Sequence, residues 1–159
     1  MKLERLFSQA ALVYSISALI VTGEARAQQN DTAAYQQATS GTRWLGTADR
    51  RFIKVLVEST NLGGGEVDIA EITFAAGSRG RGHLHNSIEI FYILSGEFEH
   101  TVNGTSRVLT PGMVGIVRPG DEVVHTVLSD EPVKALVIWS PGGEVARIAR
   151  SLREYPIDD

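Results

Sequence analysis

One short segment carries two histidines and a glutamate at spacings that constrain the whole chain. It runs from Gly77 to Gly96 and contains His83, His85 and Glu89. Successive side chains of a strand point to opposite faces, so positions 83, 85 and 89 share one face if the segment is extended. Imidazole nitrogen and carboxylate oxygen are ligands that suit divalent zinc, iron, manganese, nickel and copper. The spacing therefore predicts a metal site.

The alternative for this segment is an exposed polar loop that precedes an ordinary strand. A bare His-x-His is compatible with either interpretation. Two further features favour the metal site: the glycine-rich approach at residues 77–82 and the apolar run from Ile90 to Leu94 that follows Glu89.

The first 27 residues have the layout of a secretory signal peptide. Lys2 and Arg5 precede an apolar stretch from Ala11 to Val21, which is short for a membrane span. Ala25-Arg26-Ala27 is a small-x-small site of the kind that signal peptidase cuts. The alternative is a membrane anchor or an N-terminal helix. We expect a periplasmic or secreted protein with no membrane attachment after cleavage.

The remainder of the chain is long enough for one domain. Removing 27 of the 159 residues leaves 132, enough for a single core. We expect a flexible leader at residues 28–42 and one domain at residues 43–159. The chain has no cysteine, so packing, a metal or self-association must stabilise it. The net charge is −4 and there is no basic run, so nothing in the sequence indicates nucleic-acid binding.

From Phe52 onward the hydrophobic pattern is that of β-strands. Many short runs alternate apolar and polar residues and are separated by turn residues at intervals of roughly 8–12 residues. Asn103-Gly104 between two such runs predicts a tight hairpin. Near the C-terminus, apolar residues at spacings of three and four predict a helix over about 144–155. This order predicts an all-β small barrel or jelly roll with one terminal helix.

The histidine-rich segment resembles the first motif of the cupin superfamily. That motif reads Gly, five residues, His-x-His, three or four residues, Glu, six residues, Gly. Gly77, His83, His85, Glu89 and Gly96 fill it without a gap. The resemblance covers roughly residues 67–139 and is to small single-domain cupins of the type-2 conserved-barrel kind.

The second cupin motif is recognisable but altered. It reads Gly, five residues, Pro-x-Gly, two residues, His, three residues, Asn. The chain gives Gly112, then Arg118 where proline is usual, then Pro119 and Gly120. Its histidine, His125, comes two residues later than the pattern. Ser129 stands in the Asn place.

The late position of this histidine leaves its role open. Without a gap, the ligand position of the motif falls on Val123. A turn longer by two residues would return His125 to the site, and an even insertion keeps the facing of the strand unchanged. We predict that His125 is the fourth ligand. The alternatives are a three-ligand site or His125 as a plain strand residue.

The resemblance implies a double-stranded antiparallel jelly-roll barrel with a short C-terminal helix. It further implies one divalent metal ion, iron, manganese, zinc, nickel or copper, bound by His83, His85, Glu89 and His125. It suggests a small-molecule metalloenzyme of the dioxygenase, lyase or isomerase type, in which Glu89 or His100 would move protons. One alternative is a non-catalytic periplasmic module that binds a small ligand or metal. Another is a purely structural barrel.

Three further features of the sequence concern substrate binding, proton transfer and association between chains. Arg79 and Arg81 precede the ligands and could receive an anionic substrate, but the residues themselves favour a solvated glycine-rich loop. His100 shares a face with Phe98 and Val102, and the alternative to a proton carrier is a half-solvated hairpin residue. Unpaired edge strands favour association. The resemblance implies a homodimer formed through N-terminal strands, here residues 43–58.

Overall fold

The computed structural model describes residues 40–157. The predicted signal peptide (1–27) and residues 28–39 of the predicted leader lie outside these residues. The strands are β1 (Arg43–Gly46), β2 (Arg51–Val57), β3 (Asp68–Phe74), β4 (His83–Leu84), β5 (Ile88–Ser95), β6 (Phe98–Val102), β7 (Thr105–Leu109), β8 (Val114–Val117), β9 (Glu122–Val127), β10 (Val133–Ser140) and β11 (Arg153–Tyr155). The helices are α1 (Ser59–Leu62) and α2 (Glu144–Ala149). Neither helix is long and apolar enough to cross a membrane.

The strands form two antiparallel sheets that pack face to face. One sheet has seven strands in the order β11-β1-β2-β3-β10-β5-β8, and the other has four in the order β4-β9-β6-β7. All the pairings between these strands are antiparallel. This is the jelly-roll arrangement predicted from the sequence, and the predicted all-β fold class is confirmed.

Alternation along the strands decides which residues form the core between the sheets. In β10, Val133, Ala135, Val137 and Trp139 are buried while the residues between them face outward. Antiparallel strands with one buried face show this period of two. The predicted hairpin at Asn103 and Gly104 is confirmed, since both residues have positive φ values of 48° and 77° and join β6 to β7.

The C-terminal helix is shorter than predicted. It ends at Ala149, and Arg153 to Tyr155 form β11 instead of continuing the helix toward residue 155. Backbone pairing with β1 replaces the helical hydrogen bonds here, with Tyr155 opposite Trp44. The Tyr155 hydroxyl also donates to the Thr47 carbonyl oxygen. Tertiary pairing therefore overrides the helical spacing of apolar residues.

The start of α2 is held by a carboxylate from the barrel. Asp68 Oδ2 on β3 accepts hydrogen bonds from the backbone nitrogens of Gly143 at 2.8 Å and Val145 at 2.9 Å. An acidic group at a helix N-terminus satisfies backbone N–H groups that have no partner within the helix. Glu144, between these two residues, is buried. The helix is thereby fixed against the end of the barrel.

Candidate metal centre

The histidine-rich segment crosses from one sheet to the other. His83 lies on β4, which pairs with β9 in the four-stranded sheet. Residues 85–87 leave the strand, and Glu89 lies on β5 in the seven-stranded sheet. The segment is therefore not one continuous strand. Its side chains nevertheless meet between the sheets, as their common parity predicts.

His83, His85 and Glu89 form a compact group of ligand atoms. One ligand atom from each residue lies within 4.8 Å of the others. His85 Nε2 lies 3.1 Å from Glu89 Oε1. The side chains of His85 and Glu89 are both 2% exposed, so the group lies at the bottom of the barrel interior. This is the trio predicted from the sequence.

His125 adjoins this trio. Its Nε2 lies 3.8 Å from Glu89 Oε2, and its ring centroid lies 5.3 Å from that of His83. On β9, Val123 is paired with His83, and His125 is two residues further along the same buried face. The shift of two residues therefore leaves the imidazole directed into the barrel.

Three atoms of these side chains are buried without a hydrogen-bond partner: His85 Nε2, Glu89 Oε2 and His125 Nε2. Buried polar atoms without partners are uncommon in folded proteins and need an explanation. A divalent cation accepts lone pairs from all three atoms at once. The donor set, three imidazoles and a carboxylate, suits zinc, iron, manganese, nickel or copper. The residues present therefore fit the predicted metal.

Contacts from the backbone and from α2 orient two of the rings. His83 Nδ1 lies 3.0 Å from the carbonyl oxygen of Arg81. His85 Nδ1 lies 3.4 Å from Glu144 Oε2, and Glu144 in turn binds Arg147 Nε at 2.5 Å. An oxygen acceptor at Nδ1 favours the tautomer that leaves Nε2 free for a metal.

Buried charge shifts the titration of His85 and Glu144. Burial opposes protonation of His85, but the neighbouring carboxylates of Glu89 and Glu144 outweigh it, and the pKa of His85 is raised. Burial also opposes ionisation of Glu144. Hydrogen bonds and charge from Arg147 and His85 outweigh that effect, and the pKa of Glu144 is lowered. Glu144 is thus a carboxylate held against a ligand ring.

His125 is kept neutral by its surroundings. Burial, reinforced by the nearby His100, His83 and His85, lowers the pKa of His125 to about 2. Its ring lies among Phe74, Phe91 and Phe98. Only a neutral imidazole has a lone pair for a metal, so this apolar setting prepares His125 as a ligand.

His100 lies behind His125, away from the metal cavity. The two residues face each other across β6 and β9, and their rings stack at 5.5 Å with an interplanar angle of 16°. Burial lowers the pKa of His100, although Glu89 opposes the shift. His100 lines a second cavity of about 270 Å³ near Arg107 and Gly115. It contacts the predicted metal site through His125.

A cavity of about 370 Å³ leads to His83, His85, Glu89 and His125. Much of its wall is apolar, from Phe52, Ile53, Ile72, Phe74, Phe91, Trp139 and Ile148. Arg50, Arg79, Arg81 and Arg147 also line it and are exposed. Among its described lining residues Glu89 is the only acid. A chain with a net charge of −4 thus gathers positive charge around this cavity.

Sequence reasoning missed three side chains that support the ligands. Glu144 and Arg147 reach His85 from α2, about sixty residues further along the chain. Trp139, which is buried in the core, donates its indole N–H to Glu89 Oε1 at 2.8 Å. No local pattern marks these residues, because the contacts depend on how β10 and α2 return to the segment.

Comparison with known proteins agrees with the fold and the motif. The family model of the cupin domain matches residues 70–139. No curated protein sequence matches the chain. A solved RmlC-like cupin from Shewanella frigidimarina NCIMB 400 is 22% identical with a TM-score of 0.54, and the match covers 65% of this chain and 88% of that one.

Two further solved structures are similar. A predicted oxalate decarboxylase from Thermotoga maritima is 18% identical with a TM-score of 0.56, covering 66% of this chain and 96% of that one. A Cupin 2 conserved barrel domain protein from Salinispora arenicola CNS-205 is 21% identical with a TM-score of 0.50, covering 62% and 82%. At such identities the likeness shows the fold alone. The family match shows a cupin domain at residues 70–139 of the chain.

Proposed function

We propose that this cupin is a small-molecule metalloenzyme with one divalent metal ion bound by His83, His85, Glu89 and His125. The observation that carries the proposal is the convergence of three buried, unpartnered ligand atoms, one each from His85, Glu89 and His125. Three neutral imidazoles and one carboxylate around a divalent ion leave a net charge of +1. That charge favours an anionic or enolisable oxygen ligand.

A metal in this site would supply Lewis acidity toward a bound oxygen atom, which is the basis of dioxygenase, lyase or isomerase chemistry. The protein's part is to keep the ligand rings in the correct tautomers and to exclude water. Since Glu89 Oε2 is assigned to the metal, a substrate proton would have to be accepted at Oε1, which keeps a second lone pair beside its hydrogen bond from Trp139. His100 stacks on His125 outside this cavity's lining, so we assign it a positioning role.

The cavity favours a small organic anion with an apolar body as the substrate. Arg79 and Arg81 form no ion pair within residues 40–157, so their charges are available to a ligand. Guanidinium groups bind carboxylates with paired hydrogen bonds. The apolar wall would bury the remainder of the molecule. The similarity to a predicted oxalate decarboxylase adds oxalate to the candidates.

The metal is tested by elemental analysis of the purified protein. We expect about one equivalent of a transition metal, lost in the double variant His83→Ala/His85→Ala and retained in Asn86→Ala, which changes an exposed residue between the same elements. The double variant should also melt at a lower temperature. A metal content that the double variant leaves unchanged would contradict the site.

The anion is tested by calorimetry with benzoate, oxalate and the neutral analogue benzamide. Benzoate should bind the metal-loaded protein, and Arg79→Gln/Arg81→Gln should weaken it about tenfold, as expected for loss of charged hydrogen bonds. Arg118→Gln, an exposed arginine outside the cavity, is the control. Oxygen-electrode and product assays then decide the reaction. Binding without turnover of any candidate would indicate a non-catalytic ligand-binding module.

We propose also that the protein is exported, because residues 1–27 have the layout of a signal peptide. N-terminal sequencing of the protein recovered from the periplasm or the medium should begin at Gln28. Met1 retained in a membrane fraction would indicate an anchor instead.

A further inference from the structure

A second cavity opens along the seam between the two sheets. Strand β7 is the last strand of the four-stranded sheet and β8 the last of the seven-stranded sheet, and within residues 40–157 no pairing joins them. The cavity at these two edges has a volume of about 270 Å³. Pockets for drug-sized ligands measure roughly 300–1,000 Å³, so a smaller molecule suits this one. We call it the seam cavity, and its lining includes His100, Val102, Arg107, Leu109, Gly115 and Ile116.

The seam cavity is separate from the cavity that leads to the metal ligands. No residue lines both of them. His100 lines the seam cavity and His125 lines the other, and the two rings stack at 5.5 Å. A molecule in the seam cavity would therefore be bound without contact to the metal, to Arg79 or to Arg81. An inference about this cavity does not rest on the proposed function.

Arg107 gives the seam cavity a positive charge. It is the only charged side chain among the described residues that line the cavity. Within residues 40–157 it forms no ion pair, and its hydrogen bond there runs from Nη1 to the carbonyl oxygen of Ser106 at 3.0 Å. The N–H groups on Nε and Nη2 can bind the two oxygens of a carboxylate side by side. The cavity therefore favours an anion.

His100 supplies a second donor beside Arg107. The two residues lie directly opposite each other on β6 and β7, so their side chains share one face of the sheet. His100 is 4% exposed, and its Nε2 is buried without a hydrogen-bond partner. Its Nδ1 lies on the side of Gly115, where a Cβ would come within 3.0 Å of it. A neutral imidazole carries one N–H, so an acceptor in the seam cavity would place that proton on Nδ1.

Gly115 and the apolar wall fit the cavity to a short hydrocarbon chain. A Cβ on Gly115 would also lie 2.7 Å from Leu109 Cδ1, so a larger residue would fill the space between Leu109 and His100. The φ of Gly115 is not positive, so backbone conformation alone does not require glycine there. Val102, Leu109 and Ile116 line the cavity with apolar groups. Burial against such groups stabilises an apolar ligand body.

We propose that the seam cavity binds a small aliphatic carboxylic acid as its anion. Arg107 and His100 Nδ1 hold the carboxylate, and the hydrocarbon chain packs against Val102 and Leu109. A neutral amide of the same shape lacks the charge that Arg107 recognises. An inorganic anion lacks the chain that the apolar wall would bury. Both should bind more weakly than the carboxylate.

Butyrate titration of the chelator-treated full chain, followed by NMR, tests the proposal. The amide signal of Gly115 and the ring signals of His100 should shift and saturate. Arg107→Gln should raise the dissociation constant at least about tenfold, as for the loss of charged hydrogen bonds. Arg118→Gln, an exposed arginine that lines neither cavity, is the matched control and should leave it unchanged. No saturable shift at Gly115, or one that Arg107→Gln leaves unaltered, would overturn the proposal.

Three further titrations separate this site from other modes of anion binding. Arg79→Gln/Arg81→Gln should leave the shift at Gly115 unchanged, whereas butyrate shifts confined to Phe91 and Ile72 would place the ligand in the other cavity and contradict the proposal. Butyramide should bind at least about tenfold more weakly than butyrate. Inorganic phosphate should also bind more weakly. Phosphate binding as tight as that of butyrate would mean an unspecific anion patch at Arg107 and would overturn the site.

Discussion

Trp139 and Glu89 lie opposite each other on β10 and β5, and the indole N–H of Trp139 donates to Glu89 Oε1 at 2.8 Å. Both side chains are almost completely buried. The contact fixes one carboxylate oxygen and leaves Oε2 directed toward His125. An N–H donor to a ligand carboxylate helps to fix the orientation of that carboxylate.

Trp139→Phe removes this donor while preserving an aromatic ring in the core. We expect the affinity for the metal to fall about 10- to 100-fold, the usual cost of losing a group that orients a ligand. Metal titration against a competing chelator measures the change. Trp44→Phe, at the chain's other tryptophan, is the matched control and should bind metal as the native protein does. Equal affinity in both variants would contradict the orienting role.

Glu144→Gln removes the negative charge beside His85 Nδ1 and keeps the shape of the side chain. Because this charge favours the tautomer with Nε2 free, we expect about a tenfold loss of metal affinity. The pKa of His85, followed by NMR in the metal-free protein, should also fall, since Glu144 is one of the two carboxylates that raise it. Glu97→Gln, at an exposed position, should change neither quantity.

The metal-free protein should lose stability as the pH falls. The folded pKa of His125 is lowered from 6.5 to about 2, so the unfolded chain binds this proton first. The contribution of neutral His125 to the free energy of unfolding is complete above pH 6.5. Below that pH it falls by about 1.4 kcal/mol per pH unit. His85, whose pKa is raised, acts in the opposite sense: its contribution is present below pH 6.5 and lost at higher pH.

Urea unfolding of chelator-treated protein from about pH 7 to about pH 4 measures this dependence. In His125→Leu the slope should be smaller by about 1.4 kcal/mol per pH unit, because the buried neutral imidazole is gone. A slope identical to that of the native protein would mean that His125 takes up its proton in the folded state.

Gly115→Ala should destabilise the barrel beside His100. A Cβ at this position would lie 2.7 Å from Leu109 Cδ1 and 3.0 Å from His100 Nδ1. Crowding in a packed interior costs about 1–3 kcal/mol, which urea unfolding resolves. Gly65→Ala is the control, since nothing lies within 4 Å of its Cβ and its φ is not positive. Equal free energies of unfolding in the two variants would show that the side chains around Gly115 accommodate a methyl group without loss of stability.

The sequence predicts the ligand trio and the fold because both depend on local periodicity. His83, His85 and Glu89 share a parity that survives the passage between the sheets, even though the segment is not one strand. His125 keeps its facing because the shift from Val123 is even. These features need no knowledge of distant contacts.

The support around the trio could not be predicted in the same way. Glu144 and Arg147 approach His85 only because Asp68 anchors the start of α2. The apolar spacing predicts an end for α2 that is too late, because the pairing between β11 and β1 that replaces the helix is a tertiary contact. Apolar spacing gives a propensity for helix, and that propensity is weak against backbone pairing.

The anchoring of α2 also sets an order of assembly. His85 receives the carboxylate that orients it from Glu144 on α2. Until α2 docks against the barrel, the ring of His85 lacks this acceptor at Nδ1. Full metal affinity would then arise only once α2 has docked, which makes metal retention a reporter of that docking.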